Sequence, residues 1–132
     1  MPLLRVVNTR ADRELGNRVA LASRWLSRLR GMLGTPAPEP GEGLLLTPCS
    51  SVHMYGMRFP LDVAFLDRTG RVVAVYPSLA PGSRTRWHRD AKHALELPAG
   101  TLGQSGTTLG DLVVWSPALA TAVEASKTEA LR

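Results

Sequence analysis

The chain has 132 residues, of which 44% are hydrophobic, 20% charged and only 5% aromatic. That length fits one domain with one core, the apolar fraction excludes a disordered chain, and the scarcity of aromatic residues leaves the core to Leu, Val and Ala. The formal net charge of +5 permits contact with phosphates, nucleic acid or an acidic partner without requiring any of them.

Cys49 is the one cysteine, so no intramolecular disulfide can form. The first apolar run is broken at Arg5 and is too short for a secretory leader. No stretch approaches the ~20 apolar residues of a membrane span. The expectation is a cytoplasmic protein with no membrane association.

Residues 3–7 are apolar and β-branched enough for a first strand, and residues 8–14 read as a turn. Residues 18–22 form a second short strand by alternation. The period then changes. Ser23 can cap a helix on which Trp25, Leu26, Leu29, Met32 and Leu33 share one face, with Gly34 and Pro36 stopping it. A Pro/Gly-rich loop, TPAPEPGE, covers 35–42, and GLLLT at 43–47 is a buried strand ended by Pro48.

In CSSVHMY, 49–55, Val52 and Met54 alternate with Ser51, His53 and Tyr55. Pro60 makes 58–60 irregular or an edge. LDVAFLD at 61–67 and RVVAVY at 71–76 are two strands, and Arg68-Thr69-Gly70 joins them as a hairpin. A polar, basic loop spans 78–92. HALEL at 93–97 and DLVVW at 111–115 are the last strands, with a turn-rich stretch between them. Residues 118–132 are Ala-rich and read as a terminal helical tail on a domain covering 1–117.

The fold expected is mainly β with minor α. It is a small β-sandwich or partly open β-barrel of about six to eight strands, with one packed amphipathic helix and a possible C-terminal helix. The strands do not alternate with helices, which argues against a parallel α/β sheet.

Four pieces of the chain together resemble the domain-of-unknown-function 192 family, also called the uncharacterised protein family 0127, over roughly residues 15–115. Leu29-Arg30-Gly31-Met32-Leu33 is similar to that family's helix end, and Gly43-Leu44-Leu45-Leu46 to its Gly-led strand. Met57-Arg58-Phe59-Pro60-Leu61-Asp62 resembles its Pro-Leu-Asp core, and Glu96-Leu97-Pro98-Ala99-Gly100 with Gly110-Asp111 its closing motif. The resemblance implies a compact β-rich fold with a helix packed on it and no established enzymatic activity. Many relatives carry Trp where Gly56 stands here, so the Cys-x-x-x-His form resembles a separate branch.

Cys49 and His53 are the sharpest pair for chemistry, as a thiolate nucleophile or a soft metal ligand. On an extended strand they would lie about 13 Å apart, and one Cys with three scattered His gives no zinc spacing. A buried thiol and a hydrogen-bonded imidazole is the favoured reading, and no metal or cofactor is expected. Asp62 is either a pocket carboxylate or a cap on the bend before it. Ser51 and His53 share a face and can pair toward a ligand. Met57, with Met54, Tyr55 and Phe59, lines an apolar pocket or the core. Glu96 pairs with a nearby cation or caps a turn.

Arg84, Arg86, Trp87, His88, Arg89, Lys92 and His93 form the densest basic patch. Arg beside Trp can grip phosphates and stack a base, but no nucleic-acid-binding motif accompanies it. Asp111 is a turn acid. The glycines of 103–110 lack the order of a nucleotide loop. The function expected first is a non-catalytic binding or accessory module for a small molecule or protein partner, with a pocket near 49–67. Nucleic-acid or acidic-partner binding through 84–93 ranks next. An enzyme using His53 with Cys49 or Asp62 ranks last.

Overall fold

The computed structural model describes residues 3–22 and 36–118. Among them, seven strands make one sheet: β1 Leu3–Asn8, β2 Arg13–Ala22, β3 Glu42–Leu46, β4 Leu61–Leu66, β5 Val72–Leu79, β6 His93–Pro98 and β7 Val113–Pro117. Their order is β5-β4-β6-β3-β2-β1-β7. Neighbours run antiparallel except β2 and β3, which pair in parallel from Arg18↔Glu42 to Ala22↔Leu46. A parallel pair needs a crossover of a dozen residues or more, and residues 23–41 supply it. The amphipathic helix expected at 24–33 and the tail expected at 119–132 lie outside the described residues. Among the described residues, no helix is long and apolar enough to cross a membrane.

The sheet curls until its edges meet at one end. Val72 N donates to Asp111 O, Gly110 N to Val72 O and Val113 N to Gly70 O, each at 2.9 Å. Beyond these bonds and the Arg71↔Leu112 bridge, β5 and β7 are not paired. The partly open barrel is therefore the form this chain takes, as expected.

Side-chain alternation divides the core into two layers. On β4, Ala64 and Leu66 face one cluster with Leu45, Leu95, Leu97, Val6 and Val113. Leu61, Val63 and Phe65 face the other with Leu44, Leu46, Cys49, Val52 and Met54. All six β4 residues are buried, which is why this strand reads as an apolar run interrupted only by Asp62.

Two sequence expectations shift. Strand β2 starts at Arg13, five residues before the alternation suggested, because β1 bulges at Leu4/Val6 and Val6/Val7 to keep pairing with it. Between Pro98 and β7 lies a short helix, α1 Thr101–Ser105, which the glycine-rich sequence of that stretch had hidden. The 68–70 hairpin stands as expected. Asp67 Oδ1 accepts from Thr69 N at 2.9 Å and Arg71 N at 3.0 Å, an Asx-type turn.

Asp111 fastens the closure. Its carboxylate accepts from Arg10 Nη2 at 3.0 Å, from buried Asn8 Nδ2 at 2.9 Å and from Thr108 N at 2.9 Å. The Arg10 guanidinium first, then Asn8 and the Thr108 N–H, hold its pKa far below the ordinary carboxylate range. The expected turn acid is thus a three-way clamp between β1, the 106–110 turn and β7.

Two predictions follow from the closure. A Cβ at Gly70 would sit 2.3 Å from Val113 O, at a φ of +95°. Gly70→Ala is therefore expected to cost more than about 2 kcal/mol in urea unfolding, and a loss below about 0.5 kcal/mol would contradict this packing. The depressed Asp111 pKa favours the fold at any pH above the unfolded carboxylate's ordinary value, about 3.9. That contribution falls as pH drops below it. Asp111→Asn is expected to lower stability at pH 7 and to flatten the decline between about pH 5 and 2 in thermal melts.

Candidate functional site

The layer that covers the outer face of β4 is built from two irregular segments, 49–57 and 82–92. Neither is a strand, yet their backbones zip together. His88 N donates to Ser50 O and Thr85 N to Val52 O, both at 2.8 Å. Met54 N donates to Ser83 O at 2.7 Å and Gly82 N to Met54 O at 2.9 Å. The Thr85 hydroxyl accepts from Val52 N at 3.0 Å. His53 and Arg84 form the one isolated bridge between the segments.

Alternation then sorts the side chains. Val52, Met54, Thr85 and His88 are buried. Ser51, His53, Tyr55, Arg84 and Arg86 alternate with them toward the surface. The alternation expected for 49–55 holds, although the segment is a loop and not the strand that the spacing suggested.

The outward residues line a cleft of about 400 Å³. His53 stacks on Tyr55, with ring centroids 4.9 Å apart and planes inclined by 26°. Across the bridge stand Arg84, Arg86 and Trp87, the last 61% exposed. Arg86 Nη1 donates to Trp87 O at 3.3 Å. The sequence had offered Ser51 with His53 and the basic patch as rival sites. The fold brings Ser51, His53, Arg84, Arg86 and Trp87 to one place and adds Tyr55 and Thr85. Nothing in the spacing could announce this, because about thirty residues separate the two segments.

The remaining candidates lie elsewhere. Cys49 is 3% exposed within the outer core cluster, and its thiol reaches Ser51 O at 3.1 Å. It does not line the cleft with His53. Asp62 is fully buried on β4. Its Oδ1 accepts from Ser78 N and its Oδ2 from Leu102 N, each at 2.8 Å. It is a cap, although not on the bend before it: it holds a positive-φ residue of β5, Ser78 at φ 48°, and the first turn of α1. Glu96 is buried on β6 opposite Leu44 and Val63. Met57 is half-buried against the outer cluster. Arg89 and Lys92 are exposed outside the cleft lining.

His88 leaves the basic patch for the core. Its Nε2 lies 2.6 Å from the Tyr76 hydroxyl, and its ring lies 4.5 Å from that of Phe65. Burial first, and the Arg86 charge second, push its proton affinity down. His93 is likewise occupied, 2.8 Å from Thr47 Oγ1 and edge-on to Trp115. At Gly56, where the resemblance leads to an aromatic residue, φ is 79°, a conformation bulky residues rarely adopt. The exposed aromatic surface here comes from Tyr55 and Trp87 instead.

Asp62→Ala would strip acceptors from two backbone N–H groups in the interior. It is expected to lower stability by about 2–4 kcal/mol in urea unfolding, whereas an unchanged midpoint would remove the capping role.

Comparison with known proteins agrees with this architecture. A protein of the same uncharacterised family, a UPF0127 protein of Thermococcus sibiricus, is 28% identical over 123 residues, covering 83% of this chain and 73% of its own length. A crystal structure from Sinorhizobium meliloti 1021, described as that of a candidate transcription regulator, superposes with a TM-score of 0.67 at 24% identity, covering 85% of this chain and 91% of that one. A protein of unknown function from Novosphingobium aromaticivorans gives a TM-score of 0.70 at 22% identity, covering 85% and 83%. These two likenesses establish the fold alone. The family model DUF192, described as an uncharacterized ACR, matches residues 6–115, and the chain belongs to that family.

Proposed function

We propose that this chain is a non-catalytic binding module that takes a small ligand in the cleft between residues 51–55 and 84–87. One observation carries the reading: two segments distant in sequence are zipped by backbone bonds so that Ser51, His53 and Tyr55 meet Arg84, Arg86 and Trp87 around one concavity. Its volume, about 400 Å³, lies within the usual range for small-molecule sites. Hydroxyl, imidazole and guanidinium groups supply orientation, and the rings supply contact area.

Binding rather than catalysis fits the disposition of the reactive groups. Cys49 is packed into the core, and both oxygens of Asp62 are engaged by backbone N–H groups. Neither lies in the cleft beside His53, so the pairs that a nucleophilic or general-base mechanism would draw on are not assembled there. The buried single thiol suits a reducing compartment, in keeping with a cytoplasmic placement.

A thermal-shift screen of small anionic and aromatic molecules tests the reading. A ligand at a hundred times its Kd contributes about 2.7 kcal/mol, a rise of roughly 10 °C in Tm at this chain length. Arg84→Ala and Trp87→Ala alter exposed side chains. They are expected to leave the unliganded Tm within about 2 °C and to abolish the shift. A screen with no hit, or a shift that survives both substitutions, would reject the cleft as a binding site.

A further inference from the structure

We infer that the ligand is a phosphate monoester carried on a flat ring, the chemistry of a nucleoside monophosphate; the inference rests on the binding reading above. Charge is the first argument. The described residues lining the cleft include two arginines and no carboxylate. The two ion pairs among the described residues, Arg5–Glu14 and Arg10–Asp111, lie elsewhere. Arg86 uses one donor on Trp87 O, and a guanidinium carries five. Two uncompensated guanidinium groups match a phosphate monoester, which carries about −1.5 to −2 at neutral pH, better than a carboxylate with its single charge. Arginine's fork also suits phosphate oxygens.

The rings are the second argument. His53 and Tyr55 are stacked nearly in parallel, so one segment places two π systems beside the arginines. Trp87 and Tyr55 are 61% and 54% exposed, so both rings are open to contact with a flat partner. A base stacks on such surfaces regardless of its identity. The volume of about 400 Å³ accommodates one nucleotide rather than a run of them. The backbone ladder from Ser50 to His88 holds both walls in register, so little ordering is needed on binding.

The same chemistry can come from a free mononucleotide or from the 5′-phosphorylated end of a single strand, and the experiment separates them. Fluorescence of the full chain is titrated with AMP, UMP, adenosine, inorganic phosphate, indole-3-acetate and a 5′-phosphorylated single-stranded decamer, with Trp87→Phe identifying the reporting ring. AMP or UMP is expected to bind at least tenfold more tightly than adenosine, phosphate or indole-3-acetate. Arg84→Ala and Arg86→Ala are each expected to weaken AMP at least fivefold and adenosine less than twofold. Arg84→Lys should restore part of the loss, and affinity should fall with salt. A decamer at least tenfold tighter than AMP identifies the strand end as the source, and one no tighter identifies the free nucleotide. Adenosine or indole-3-acetate binding as tightly as AMP overturns the phosphate assignment while leaving the binding cleft intact. The same holds if every nucleotide fails beside a library compound that binds. Silence from nucleotides and library alike overturns both.

Discussion

Both faces of β4 are sealed from water, and each face needs its own covering layer. The inner face has the curled sheet itself. The outer face carries Leu61, Val63 and Phe65, worth roughly 1.5–3 kcal/mol apiece in burial, and no regular strand or helix among the described residues lies over it. Segments 49–57 and 82–92 take that place. Because they are irregular, their backbone groups have no sheet to join and bond to each other instead. Every second residue drives inward to fill the layer, and the others are left in a row outside. The cleft is therefore a by-product of covering a two-sided strand.

The acids and bases of this chain have divided labour. Asp62, Asp67 and Asp111 all accept backbone N–H groups, where carboxylates replace missing ladder partners at a bulge, a hairpin and a closure. Arg10 is drawn into one of these knots. Arg84 and Arg86 are not, so two positive charges stand beside aromatic rings at the cleft. His88 is buried under the same rim, and that burial first, then the Arg86 charge, pushes its proton affinity down.

Much of the fold was legible because its cause is local. Apolar, β-branched runs mark β1, β4 and β5, and Thr69-Gly70 marks the hairpin, since a turn with Asp before it and positive φ within it has few other solutions. The beginning of β2 was hidden because bulges in its partner, not its own pattern, hold it in the sheet. Helix α1 was hidden because its first turn is fixed by a carboxylate forty residues earlier and not by a residue beside it. For the same reason Asp62 could be recognised as a cap but not attached to the groups it caps. The site was legible in halves. Ser51 with His53, and Arg84 with Trp87, each stood out by residue type, but their union depends on the His53↔Arg84 bridge, a tertiary pairing that leaves no periodic trace.

The closure also bears on how the chain acquires its structure. Strand β1 lies between β2 and β7, and Asn8 meets Asp111 at a sequence separation of 103. On a ribosome, β1 is made well before its outer partner, so until β7 emerges it presents an unsatisfied edge, and Asn8 lacks its Asp111 acceptor. The entropy of closing so long a loop grows only logarithmically, but the contact forms late, and topologies rich in such distant pairings fold slowly. The nascent protein thus passes through an interval in which the other described strands can assemble while β7 is awaited. Arrival of β7 covers the free edge of β1, the kind of exposed strand that otherwise invites pairing with another chain.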